Sequence, residues 1–567
     1  MAPIMNNAEI LSLDPYDEPP SFWRRNSHAL AALGVFVSTV LLTLVSFPPF
    51  RFPEAAYAFA VPAVFWAYRR PRWKLFATVV LGASAVAWTL ILSWLHQVSW
   101  IGMLLLGPVI GIWVGSWFLA VRWTMPQLLG RPHLTRILLV FGLAALWVLI
   151  EWSRTWLFSG FPWLPLAASQ WQRVSILQIA AFTGSAGVSF VLIAVNLGFG
   201  AYAHRLLCEA RRGLNRRSQE FFATMFLLVV CLSIQMQETI NRGGYIVGLG
   251  KVAFVQPNIP STLKWDPSEG PAIMETLQTL TRQAAAARPN LILWPEASTP
   301  WAIKGDEQIR RWTEELVAKG RAPLVLGSLA IEHPATPQEG WYNGAFLVDP
   351  VGGVQPGYYA KRKLVPFGEY VPYRPLLGWL QKVVPIGSDD ILAGSEPGLL
   401  RTTLRNVPVS LGPLICYEDI FPNLARESVL AGADVLVVMT NDGWFGEGGA
   451  AYQHAAHSVL RAVETRRPVL RVGNSGWSGW IDEFGVTKAV ATDPDHGVYF
   501  RGVRVTEVQR DFRWAGRNSF YVRHGDWFVV LCAFLVAGAI TLLRVSPKPQ
   551  EEETADPVEE SPSGSPS

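Results

Sequence analysis

Cysteine is scarce in this chain, with four in 567 residues. Cys231 and Cys532 fall in apolar runs and Cys208 in a basic loop, so no disulfide framework is available. Only Cys416 lies in a long polar stretch, where a lone thiol is either buried and inert or kept for its reactivity. Charge is sparse as well: Asp, Glu, Lys and Arg make up 16% of the residues and the net charge is +4, which does not suggest a nucleic-acid partner. There is no fixed-period repeat. The glycine-rich GEGGA at 446–450 lacks the strand and the Lys-Ser/Thr context of a phosphate loop. His454 and His457 stand at i, i+3 spacing without a third ligand, so no metal or other cofactor is expected.

Apolar residues, by contrast, are abundant. They make up 50% of the chain, with 25 Trp and 29 Phe, and the mean hydropathy is +0.24. Stretches near 28–48, 53–68, 75–95, 99–121, 136–156, 176–203, 220–236 and 526–544 read as membrane spans, the second of them short. Eight spans place both chain ends on one side. RRPRWK at 69–74 carries four basic residues, 122–136 three and 204–218 five, while the alternate loops are nearly bare. The positive-inside rule makes the basic loops cytoplasmic and turns the segment between the seventh and eighth spans outward. The first apolar stretch is not read as a cleaved signal peptide, because a polar leader with several acids precedes it and no small-residue cleavage site follows.

The expected organisation is then a polar leader at 1–26, a seven-span membrane domain at 27–243, an outward domain at 244–520, an eighth span at 521–544 and a disordered acidic tail at 545–567. Within 244–520, the runs at 251–256, 291–294, 323–329, 409–416, 435–440 and 469–473 are short, apolar and β-branched. They suit strands buried on both faces. Helical patterns at 271–287 and 452–467 lie between them, so the domain reads as α/β.

Three residues of this domain are candidates for chemistry. Glu296 in WPEAS and Cys416 in LICYED each come just past a strand, where α/β folds gather their functional groups, and Lys361 precedes the turn LVPFGEY. A thiol can attack an acyl carbon, a carboxylate can take its proton, and an ammonium can stabilise the thiolate and the oxyanion. Taken singly, Glu296 also reads as a helix N-terminal acid and Lys361 as a solvated loop charge.

WPEAS, KRKLVPFGEY and ICYED, in this order, resemble the Glu-Lys-Cys set of the nitrilase, or carbon–nitrogen hydrolase, superfamily. With its spans, the chain resembles the apolipoprotein N-acyltransferase family along nearly its whole length. The resemblance extends over VQPNIPSTLKWDP (255–267), MTNDGWFG (439–446), RRPVLRVGNSG (466–476), SFYVRHGDWF (519–528) and the outward loop FSGFPWLPL (158–166). It implies an α-β-β-α sandwich with Cys416 as nucleophile, Glu296 as general base and Lys361 as oxyanion partner. It also implies a supporting role for Glu369 and Glu418, an oxyanion N–H at Tyr417, and a part for Trp265 in substrate binding. Trp477 and Trp480 depart from the pattern, where smaller residues are expected, and the expected consequence is an altered pocket wall or lipid entrance.

The resemblance further implies a two-step transfer at the outer face of a bacterial cytoplasmic membrane. An acyl chain passes from a phospholipid, phosphatidylethanolamine being the expected donor, to Cys416. It then passes to the α-amine of a diacylglyceryl-modified N-terminal cysteine on an apolipoprotein. Two rivals stand beside this reading. A membrane-tethered amidase acting on small amides accounts for the thiol but not for the spans. A binding scaffold with a dead enzyme domain is at odds with the presence of all three candidate residues.

Overall fold

In a computed structural model, the described residues are 27–545, without 210–216, 241–244, 265 and 379–390. Trp265, the leader and the tail after Val545 therefore lie outside the described residues. Among those described, seven helices are long and apolar enough to cross a membrane: 27–46, 73–91, 100–128, 133–153, 185–208, 219–238 and 527–545. The expected second span is different. It consists of a 3-10 turn, Pro53–Tyr57, and a helix of only eight residues, Val61–Tyr68. At about 1.5 Å per residue that helix is too short to span alone.

The chain nevertheless crosses the bundle there, along the helix Ser185–His204. Near the sheet-bearing domain, Gln170 Nε2 donates to the Pro53 carbonyl (2.8 Å). Midway, Asn196 accepts from Ala60 N (2.9 Å) and donates to the Ala56 carbonyl (2.8 Å), satisfying backbone groups that the break in the helix leaves free. At the remote end the Tyr68 ring stacks on His204, with centroids 4.2 Å apart. Among the described residues, seven helices are long enough to span alone, and this broken segment lies beside them at the place of the expected second span. Basic loop residues gather on the face remote from the sheets, where Arg122 donates to the Pro71 carbonyl (2.7 Å) and Arg136 pairs with Glu220. The expected span 176–203 is broken too: two four-residue helices, Val174–Leu177 and Ala180–Thr183, precede Ser185.

Among the described residues, thirteen strands build the domain between the last two long helices. They are β1 Ile246–Gln256, β2 Leu291–Leu293, β3 Leu324–Glu332, β4 Gly340–Asp349, β5 Gly353–Val354, β6 Tyr359–Ala360 and β7 Leu400–Leu404. Following them are β8 Val407–Ile415, β9 Val435–Thr440, β10 Val469–Gly473, β11 Gly479–Ile481, β12 Thr487–Val490 and β13 Gly502–Asp511. One sheet runs β13-β1-β2-β3-β4-β5 with β6 paired to β4, and the other runs β12-β11-β10-β9-β8-β7. Their centres are parallel: β1 with β2, β2 with β3, and β9 with both β8 and β10.

The side-chain period of two sorts these strands into layers. Val252, Phe254, Val435, Val437 and Met439 fill the space between the sheets. Ala253, Val255 and Trp294 face away from it, onto the helices Gly270–Ala286 and Glu307–Gly320. Leu436 and Val438 face the opposite way, onto helices Pro422–Leu430 and Ala450–Thr465, in a core continuous with that of the membrane bundle. The result is an α-β-β-α sandwich with one helical layer fused to the spans. Trp480 lies in the inter-sheet core and Trp477 in the core shared with the spans. Both are buried packing residues, and Trp480 belongs to the same core cluster as Cys416.

Candidate active site

Glu296 is carried by the turn after β2, and Gly327 of β3 makes room for that turn. A Cβ at Gly327 would lie 2.6 Å from the Pro295 carbonyl. The strand instead holds the turn by accepting from Ser298 N (2.7 Å) and donating to the Pro295 carbonyl (3.2 Å). Lys361 follows β6, and its backbone N–H donates to the Asn343 carbonyl on β4 (2.8 Å). Cys416 begins the 3-10 turn Cys416–Ile420 directly after β8. Its φ of 52° lies in the left-handed region, which costs a Cβ-bearing residue about 1–2 kcal/mol. Such strain is kept where surrounding contacts enforce it.

The three side chains converge at the C-terminal ends of the parallel strands. Lys361 Nζ is 3.2 Å from Glu296 Oε1 and 2.9 Å from Glu369 Oε1. Asn343 Nδ2 donates to the same two carboxylates, at 2.9 and 3.3 Å. Burial alone would raise the Glu296 carboxyl, but Lys361 and Lys264, with Asn343, hold it below the usual range. Burial opposes the charge on Lys361, yet Glu296 and Glu369 keep its ammonium well above the ordinary value. The Cys416 thiol is pushed up by burial and by the Glu296 charge, against the pull of Lys361. At rest the proton therefore sits on sulfur and the carboxylate is ionised. That is the distribution required of a thiol that loses its proton to Glu296 as it attacks.

Around this centre the expected supporting residues have concrete tasks. Glu369 Oε2 accepts from Val365 N (2.8 Å), which closes the turn after Lys361. Glu418 uses both oxygens: Oε2 accepts from Ile415 N (2.7 Å) and Tyr359 Oη (2.7 Å), and Oε1 from Arg362 N (2.7 Å) and Lys363 N (3.1 Å). It thereby ties the thiol turn to the lysine loop. Tyr417 Oη donates to the Gly160 carbonyl (2.7 Å), and its ring lies against Phe161, so the same turn is moored to FSGFPWLPL.

That loop of the bundle docks on the helix Ala450–Thr465. Trp163 Nε1 donates to Gln453 Oε1 (2.9 Å), and Leu164 N donates to His457 Nε2 (3.1 Å). Gln453 also accepts from Trp94 Nε1 (3.0 Å) and donates to the carbonyls of Pro48 (3.1 Å) and Ile91 (3.0 Å). One amide thus joins three parts of the membrane bundle to the sheet-bearing domain.

Several residues of the site are not among those read from the sequence. Lys264, whose ammonium burial brings down to about 8, donates to the Glu296 carbonyl (2.8 Å). It sits inside the LKWD string, but nothing in a loop lysine announces burial. Asn343 interrupts the apolar strand β4, and Arg471 interrupts β10; a lone polar residue in such a run is the available signal. His454, conspicuous in the sequence only for its spacing to His457, lies between Asp442 and Asp419. Its Nδ1 is 2.8 Å from Asp442 Oδ1 and its Nε2 is 2.8 Å from Asp419 Oδ1. Burial and Arg471 oppose its charge, but the two carboxylates raise its imidazole to about 9.

A four-layer sandwich with a buried carboxylate, ammonium and thiol at its strand ends defines a domain of the carbon–nitrogen hydrolase class, and residues 251–510 match the Carbon-nitrogen hydrolase family model. Residues 38–198 match the Apolipoprotein N-acyltransferase N-terminal domain. The chain belongs to the apolipoprotein N-acyltransferase family. It is 33% identical over 518 residues to the apolipoprotein N-acyltransferase of Geobacter metallireducens, covering 89% of this chain and 93% of that one. The enzyme of the same name from Brucella melitensis is 30% identical over 92% of this chain and 96% of its own. Among solved structures, an amidase from Nesterenkonia sp. aligns with 48% of this chain and 95% of its own at 19% identity and a TM-score of 0.34.

Proposed function

We propose that the chain moves an acyl group from a membrane phospholipid, phosphatidylethanolamine in particular, to the α-amine of a diacylglyceryl-cysteine at the N-terminus of an apolipoprotein. The supporting observation is the Glu296–Lys361–Cys416 cluster in a domain fused to the membrane bundle. Cys416 attacks the ester carbonyl while Glu296 takes the thiol proton. Lys361 and the backbone N–H of Tyr417 receive the charge that develops on the carbonyl oxygen. Collapse of the tetrahedral intermediate expels the lysophospholipid alkoxide, which leaves with the proton from Glu296. The acceptor amine then attacks the thioester, and Glu296 removes its proton and returns one to the departing sulfur. Such a transfer runs by ping-pong kinetics.

Incubation of the purified protein with acyl-labelled phosphatidylethanolamine alone tests this reading. The expected result is protein-bound label that neutral hydroxylamine removes, and lipid hydrolysis without any bound label would refute it.

The location supported by the basic loops is a bacterial cytoplasmic membrane with the catalytic domain in the periplasm. Val351 is almost fully exposed on that domain, and Arg70 is exposed at the opposite face of the bundle. In a background lacking Cys208, Val351→Cys is expected to react with an impermeant maleimide in spheroplasts, and Arg70→Cys only after lysis. The reverse pattern would turn the domain inward.

A further inference from the structure

Beneath the thiol turn lies a closed set of four charges from four separate elements: Asp419, Asp442, His454 and Arg471, all buried. Arg471 binds the outer oxygens, Nη1 to Asp419 Oδ2 (2.8 Å) and Nη2 to Asp442 Oδ2 (3.1 Å). Ser458 Oγ donates to Asp419 Oδ2 (2.6 Å), and Thr440 Oγ1 donates to Asp442 Oδ1 (3.0 Å). His454 occupies the middle. Its Nδ1 meets Asp442 Oδ1 (2.8 Å) and its Nε2 meets the carbonyl oxygen of Cys416 (3.2 Å). Asp419 Oδ1 lies 2.8 Å from the same Nε2 and shares its positive charge with the Cys416 carbonyl. All these partners can only accept, so both ring nitrogens carry hydrogen and the ring is an imidazolium. Two positive and two negative groups then balance.

The Cys416 carbonyl and the Tyr417 N–H belong to one peptide group. In a planar trans peptide these two bonds point in opposite directions. Anchoring the carbonyl on a buried cation therefore turns the Tyr417 N–H away from the charge cluster. Hydrogen bonding to the oxygen of an amide also polarises its N–H and makes it a stronger donor. From this geometry we infer that His454 is a positioning residue for the oxyanion hole: its imidazolium orients and polarises the Cys416–Tyr417 peptide whose N–H receives the acyl oxyanion. The inference rests on the acyl-transfer reading above. The helix that carries His454 starts against the membrane bundle, with Gln453 bonded to three parts of it and the Trp163 ring 5.4 Å from the His454 ring. The bundle therefore sets the register of this contact.

Two reactions of the same sulfur separate this role from a structural one. Acylation by phospholipid passes through a tetrahedral oxyanion. Alkylation by iodoacetamide displaces iodide at a saturated carbon and forms none. His454→Gln, in the full-length protein in detergent, is expected to slow acylation from saturating phosphatidylethanolamine by about ten- to a hundredfold with the half-saturating lipid concentration unchanged. Alkylation of Cys416 should stay within about threefold of wild type, since no oxyanion forms in it.

His454→Gln leaves one uncompensated negative charge in the core, so the double variant Asp442→Asn/His454→Gln, which restores neutrality, is measured beside it and is expected to show the same split. Equal losses in both reactions, unchanged acylation in a folded variant, or failure of both variants to fold would overturn the inference. Absence of acyl-enzyme in the wild type would instead refute the acyl-transfer reading itself.

Discussion

Cys416→Ala is expected to reduce N-acylation to background, a loss on the order of 10⁴-fold or more, because in the proposed mechanism the acyl chain passes through this thiol. The fold should survive. Alanine meets the same left-handed strain at φ 52° as cysteine does, and removing one sulfur atom leaves only a small void beside the inter-sheet core. Glu296 and Lys361, 3.2 Å apart in the native site, should stay paired in that variant, so lipid should still bind. Loss of turnover with retained binding and an unchanged melting profile would show that the thiol does chemistry. Measurable turnover in Cys416→Ala would remove the covalent intermediate from the account.

Lys361→Met should be nearly as damaging to turnover, and more so to the fold. Lys361 is 1% exposed and stands between two carboxylates, Glu296 and Glu369. In the proposed mechanism, deleting it removes an oxyanion partner, worth on the order of 10²–10³ in rate. It also leaves the buried Glu296 facing the partly buried Glu369 without that cation. The Glu296 carboxyl then moves to higher pKa, since burial raises it and Lys361 no longer holds it down.

As the proposed base, Glu296 works only when ionised, so the acid limb of the acylation rate is expected to shift to higher pH, adding to the loss at neutral pH. Breaking a buried pair from one side costs about 3–5 kcal/mol, so a lower melting temperature should accompany the kinetic effect. Glu296→Gln offers the contrast: it deletes the base but keeps the Lys361–Glu369 pair, so activity falls while stability largely holds. Lys361→Arg is not a conservative exchange, because a planar guanidinium cannot replace a compact ammonium between two carboxylates. If Lys361→Met acylated at the wild-type rate with an unmoved acid limb, the lysine would be structural only.

Much of this architecture is legible in the residues themselves. Strands buried on both faces declare themselves as short apolar runs, and all six runs read from the sequence are strands. The strands β4 and β13, at 340–349 and 502–511, are absent from that reading. β13 alternates polar and apolar residues and is only partly buried over most of its length, so no continuous apolar run marks it. The crossing at 53–68 is visible as an apolar stretch, but its form is not. Only Asn196, a polar residue inside the helix 185–204, hints that a neighbouring backbone has free groups to satisfy.

The charge cluster under the thiol is harder to see. Asp419, Asp442, His454 and Arg471 come from four elements and meet only once the second sheet and its helix are assembled. Arg471 inside VLRVG announces that a buried counter-charge exists, yet sequence spacing cannot say which acid supplies it. The i, i+3 spacing of His454 and His457, read as no metal site for want of a third ligand, places both on one helix face without showing what that face meets. Their shared helical face serves hydrogen bonds, one to the thiol turn and one to a loop of the bundle.

Intact-protein mass spectrometry of the enzyme, after exposure to phosphatidylethanolamine of one defined acyl chain, tests the central claim most directly. A single adduct of that acyl mass is expected, located on Cys416 by peptide mapping. It should be discharged when a diacylglyceryl lipopeptide with a free α-amine is added and retained when that amine is blocked. An adduct on another residue, or acyl transfer to the lipopeptide with no adduct at any stage, would contradict it.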